Sequence, residues 1–279
     1  MPTGGSESMR GNKFAGLLVL LLAVFSRAAC AEDSQPACQP HPKLGEELRF
    51  QGRWIGLHVG SGIITVKELA TIQNREAVHL VAEGRTNEVL SKFYPIQDEI
   101  HSYVDRKTLQ PLQFEKKQRE GRYRSDERVI FNPEKGEAEY ESLLNGEKKP
   151  VRFTPPIYDL LAAIYWFRNQ PLDPNTEKMA DLYTDEKIYN TKIVVGDLVD
   201  LELRGRGTFQ SFMVEPKAVF KGILVKRGRL WGYLTPDRRR LPLMIKATTP
   251  WGPMSAVLDE ESIQKAREED YAAGCAAGP

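Results

Sequence analysis

Cysteine is scarce in this chain, and neither sign of charge is in excess. Three cysteines in 279 residues cannot build a disulfide scaffold. Lys and Arg number 39 and Asp and Glu 38, so the formal charge of +1 gives no electrostatic reason to expect nucleic acid as a partner. Histidine is limited to His41, His58, His79 and His101. His58 and His79 fall in extended segments that can face one another, but no third ligand accompanies them. They read as ordinary strand or surface histidines, and neither metal nor cofactor is expected. The nucleophile and nucleotide patterns G-x-S-x-G, H-E-x-x-H, C-x-x-C and the P-loop are missing. No apolar run reaches the roughly 20 residues of a membrane-spanning helix.

The run that comes nearest, residues 14–25, is preceded by Arg10 and Lys13 and followed by small residues. That order describes a secretory signal peptide over residues 1–31. Ala29-Cys30-Ala31 fits a cut before Glu32. Acylation of Cys30 is the alternative, but Arg27 stands where a lipoprotein signal needs an aliphatic residue. The expectation is an exported, periplasmic protein with no transmembrane span after cleavage. Cys38 and Cys275 would then remain, one near each end. An oxidising compartment permits a disulfide between them, with two free thiols as the other possibility.

Residues 32–45 are polar and proline-rich, an irregular lead. Residues 46–258 read as a single antiparallel β domain, with extended segments separated by turn signals every 8–12 residues or so. Gly60-Ser61-Gly62 is read as the tight turn of the first hairpin. One stretch departs from the alternation. Ile157, Leu160, Leu161, Ile164, Tyr165 and Arg168 have helical spacing, with Thr154 as a cap and Pro155 and Pro156 in the first turn. A helix is expected over about 157–169, docked on a sheet face. Residues 259–279 form a charged tail with a marginal, solvated helix. The fold class is mainly β, a large curved antiparallel sheet forming a barrel or open sandwich with one packed amphipathic helix.

Three landmarks in order carry a resemblance. They are Leu48-Arg49-Phe50 to Gly60, the block from Tyr158 to Arg168 with Pro171-Leu172, and Gly228-Arg229-Leu230 to Pro242-Leu243. Together they resemble the DUF3108 family of exported envelope proteins over about residues 46–258. The resemblance implies an exported antiparallel β protein of Gram-negative bacteria and brings no catalytic residues.

Two carboxylate clusters, Asp181/Asp185/Glu186 and Asp197/Asp200, lie beside strand ends and read first as solvated turns. Basic residues gather late, from Arg204 and Arg206 through Lys226, Arg227 and Arg229 to Arg238, Arg239 and Arg240. If their turns share one rim, they would attract phosphate or an anionic glycan. Scattered solubilising charge is the plainer reading. Trp54, Trp231 and Trp251 fall among aromatics read mainly as core, with an aromatic-lined cavity as the alternative. The favoured function is non-enzymatic binding of an envelope lipid, anionic glycan or protein partner. Trp54, Trp231, Arg229, Arg238 and Arg240 are the candidate mouth. A glycan hydrolase using an Asp/Glu pair, or a purely assembly role, is the alternative.

Overall fold

A computed structural model describes residues 42–217 and 229–272, all within the unit Gln35–Pro279. The signal segment, most of the polar lead, Cys38, Lys226, Arg227 and Cys275 lie outside the described residues.

Alternating residues over almost the whole chain produce one 15-stranded sheet. Its first half is β1 (Glu47–Trp54), β2 (Leu57–Ile72), β3 (Arg75–Thr86), β4 (Gln97–Asp105), β5 (Pro111–Glu120), β6 (Tyr123–Asn132), β7 (Glu137–Ser142) and β8 (Lys148–Arg152), with the one-turn helix α1 (Glu88–Ser91) between β3 and β4. The short β9 (Ile157–Tyr158) precedes β10 (Thr176–Thr184), β11 (Lys187–Leu203) and β12 (Gly207–Lys217). The last three are β13 (Leu230–Leu234), β14 (Pro242–Thr249) and β15 (Gly252–Leu258). Sequential strands pair as hairpins, and β1 joins the two halves by pairing with both β2 and β15. The pairing of β9 with β10 is parallel and all other pairs are antiparallel. The sheet is not closed, and β8 and β9 are its edges.

The inner face is filled by a helix. Helix α2 (Leu160–Arg168) starts later than its spacing predicts, because Ile157 and Tyr158 are taken by the ladder to β10. Its cap is therefore Asp159, not Thr154; an Asp159 side-chain oxygen accepts the Ala162 N–H at 2.9 Å. The helix does not bury one stripe only. Leu161, Ala162, Ala163, Tyr165, Phe167 and Arg168 are all buried. They pack among Leu48, Val66, Leu80 and Val104 on one side and Val195, Phe212 and Val214 on another. Arg168 has a fully buried side chain, and both its terminal nitrogens donate to Glu46 at 2.7 Å. The terminal helix α3 (Glu260–Ala272) is better anchored than its thin apolar face implies: Ile263 is buried and Ser262 Oγ accepts the Arg49 N–H at 2.9 Å.

Gly60-Ser61-Gly62 does not turn. The chain reverses at Ile55 and Gly56, both in the left-handed region, and β2 runs straight through both glycines. The long strand β11 runs from Lys187 to Leu203 through a bulge between Val195 and Leu198.

Candidate functional site: a glycine-floored trough

Alternation places Leu48, Phe50 and Gly52 of β1 on the inner face, beside Gly60, Gly62, Ile64 and Val66 of β2. On β3 the same face carries Leu80, Ala82 and Gly84. Helix α2 covers one end of these strands. At the other end glycines take the place of side chains, with Gly52 opposite Gly60 and Gly62 opposite Gly84. Two of them are required by close approach. A Cβ on Gly60 would fall far inside contact with the Arg85 carbonyl oxygen, and one on Gly52 would lie 3.3 Å from the Gly60 oxygen. The four glycines leave an open trough of about 300 Å³ whose walls include Phe50, Ile64, Ile96, Ile245 and Ala256. Its lining is almost entirely apolar.

A pair of carboxyls stands beside it. Asp98 of β4 pairs in register with Gly84, and Glu120 of β5 bridges to Ile96 of the trough wall. Burial, then a hydrogen bond to Asp98, pushes the Glu120 carboxyl up to about 7. Gln118 Nε2 donates to Glu120 Oε1 at 3.1 Å, and the Arg119 N–H donates to Asp98 at 2.9 Å. The two carboxyls are in hydrogen-bond contact, closer than the roughly 5 Å or more that separates a glycosidase pair.

The residues expected to form a mouth are split between the two ends of the strands. Trp54 ends β1, and its Nε1 donates to the Trp251 carbonyl at 2.9 Å. Arg229, just before β13, and Trp231 within it lie at that same end, with the guanidinium 4.8 Å from the indole and on Glu215 at 2.7 Å. Arg238 and Arg240 belong to the loop from β13 to β14, at the opposite end. Arg238 is exposed there, while Arg240 donates to the Pro236 carbonyl and its neighbour Arg239 pairs with Asp237. Alternate turns of consecutive hairpins fall at opposite ends of a sheet, so the late basic residues do not share one rim. Trp54 and Trp251 are exposed, outside the core.

The carboxylate clusters serve as braces. Asp181 accepts from Asn190 at 2.7 Å and Asp197 from Asn175 at 3.1 Å, while Asp185 and Glu186 meet Lys116 and Lys149 at 3.1 and 2.7 Å. His79 faces Glu68 of β2 instead of His58, and its Nε2 lies 2.9 Å from His101 Nδ1. Among the described residues, no three His, Cys, Asp or Glu side chains converge as a metal site requires, and no helix is long and apolar enough to cross a membrane.

Neither the trough nor the Asp98–Glu120 pair is anticipated by motif. The readable signal was parity: Gly60 and Gly62, two apart in a strand, must share a face.

An open, mainly antiparallel sheet plugged by one helix defines the class of protein. The family model described as a protein of unknown function, DUF3108, matches residues 49–259, and the chain belongs to that family. No curated protein matches the chain. Among solved structures, the chain is similar to a β-barrel-like protein of the domain of unknown function DUF1849 from Brucella abortus. The TM-score is 0.51 at 10% identity, over 76% of this chain and 94% of that one, a likeness of fold.

Proposed function

We propose that this is an exported, periplasmic protein that binds the apolar chain of an envelope lipid in the trough, without catalysing a reaction on it. One observation carries the reading. The inner face of a sheet normally fills itself with side chains, yet here four glycines on three adjacent strands leave about 300 Å³ of apolar space. That volume lies at the lower end of small-molecule sites, about 300–1,000 Å³. Each buried methylene contributes about 0.8 kcal/mol, so an alkyl segment of modest length offsets the cost of association. Asp98 and Glu120, in register with Gly84 and Ile96, would face the polar head of such a lipid.

Gly84→Leu is the test. A Cβ on Gly84 meets nothing within 4 Å, so a leucine there occupies the trough without straining the strand. Native mass spectrometry of wild-type protein recovered from envelope extract should retain a lipid, and the folded variant should retain none. Wild-type protein that arrives empty, or a variant that keeps the same adduct, would overturn the reading.

A further inference from the structure

Fifteen large apolar side chains are exposed among the described residues, and ten of them lie at one end of the sheet, on turns or the strand ends beside them. The other five, Leu44, Leu69, Leu160, Met179 and Leu198, are scattered. The trough reaches toward that same end, where Val59, Thr86 and Ile96 line it.

These turns touch one another in series. Between β14 and β15 stands Trp251, whose carbonyl holds Trp54 of the next turn. The β1–β2 turn adds Ile55 and Leu57, and Ile55 is hydrogen-bonded to Pro253 at 2.9 Å. Asn87 ties the β3–β4 connection to this turn through the Val59 and His58 carbonyls. That connection carries Val89, Tyr94 and Phe93, the last 81% exposed. The Tyr94 ring in turn lies over Gly121 of the β5–β6 turn, where Tyr123 is exposed. Leu143, on the β7–β8 turn with Leu144, donates its N–H to the Asp126 carbonyl of β6 at 2.8 Å. The result is a continuous rim of five apolar tips.

Arg53, Lys92, Arg122 and Arg124 stand among the tips, and none is ion-paired with a carboxylate among the described residues. Glu88 is the opposing charge on the β3–β4 connection.

We propose that this rim docks on an anionic phospholipid bilayer. Separate turn tips do not make the flat, complementary patch that a folded partner needs. A fluid interface needs no such fit, and it favours Trp and Tyr at headgroup depth with Lys and Arg beside them. Docked this way, the end of the trough lined by Val59, Thr86 and Ile96 is the one nearer the membrane. The rim and the trough are independent observations and fail separately.

The test is quenching of tryptophan fluorescence in the full chain by vesicles of phosphatidylglycerol and phosphatidylcholine in equal parts, with brominated acyl chains. Residues 1–31 contain no tryptophan, so attachment through their apolar run brings no indole to the quencher. Wild-type protein should be quenched, and Trp251→Phe with Trp54→Phe should lose most of the effect while still floating with vesicles. Phe93→Ser with Leu57→Ser should require about tenfold more lipid or beyond. Arg122→Gln with Lys92→Gln should weaken binding by a similar factor on the anionic vesicles and not on pure phosphatidylcholine. Gly84→Leu should leave quenching intact. Absence of quenching, with or without flotation, would overturn the proposal and assign the rim to a protein partner. So would quenching that the Phe93 and Leu57 changes leave unaltered.

Discussion

Asp159 offers a quantitative check on how the plug helix is held. One carboxyl oxygen caps α2 through Ala162 N–H at 2.9 Å, and the other accepts the Ser102 hydroxyl. Both bonds favour the ionised form, but the side chain is completely buried and desolvation outweighs them, pushing the carboxyl up to about 6 from 3.8. That displacement corresponds to about 3 kcal/mol. Below about pH 4 the group is protonated in both the folded and unfolded chain and costs nothing. As pH rises, the unfolded chain releases its proton first, so stability falls until about pH 6 and then stays low. Asn caps a helix as well as Asp does, and its amide can donate to Ser102 Oγ. Asp159→Asn should therefore match the wild type near pH 4 and exceed it by about 3 kcal/mol near pH 8. Urea unfolding across that range, at unchanged m-value, measures the difference. Burial and His101 lower the His79 pKa, giving the opposite slope, but that contribution is common to both proteins and cancels. A difference that does not vary with pH, or a variant weaker than wild type near pH 8, would refute this account of the plug.

Gly60→Ala should lower stability by about 1–3 kcal/mol, because its Cβ collides with the β3 backbone, whereas Gly84→Ala should be nearly neutral; thermal unfolding of the two variants side by side separates close approach from mere lack of a side chain. Arg168→Met should cost about 3–5 kcal/mol in chemical denaturation, since it leaves Glu46 charged beside Tyr165 with its guanidinium partner gone.

Much of the fold was legible because alternation is a local property. The antiparallel β class was visible in the alternation, and the helix in its spacing. What failed was non-local. Gly60-Ser61-Gly62 has turn composition, and only the backbone of Arg85, 25 positions away in sequence, explains why glycine stands inside a strand there. Thr154 and Pro155 form a plausible helix start until Ile157 and Tyr158 are claimed by β10, which lies further along the chain. The charge rim failed for a geometric reason: alternate hairpin turns point to opposite ends, so Arg229 and Arg240 cannot share a mouth. Asp98 and Glu120 are 22 residues apart in sequence and meet only through the register of β4 on β5.

The openness of the sheet also bears on where the trough can be. β1 is the middle strand, with seven strands on each side, and β8 and β9 are farthest from it. Pro155 and Pro156 offer no N–H just before β9, so that edge cannot extend its ladder backward. The β8 edge carries Lys148, Lys149 and Pro150, residues that discourage further pairing. Side chains tie this region instead: Lys149 meets Glu186, and the largely buried Lys116 bridges Glu127 and Asp185 at 3.1 Å each. Glycine weakens a strand wherever it stands, by removing packing and adding entropy to the unfolded chain. Gly52, Gly60, Gly62 and Gly84 lie on β1, β2 and β3, each hydrogen-bonded to a strand on both sides. Continuous ladders hold the backbone there without help from side chains, so the middle of the sheet is the place best able to keep an empty floor rigid.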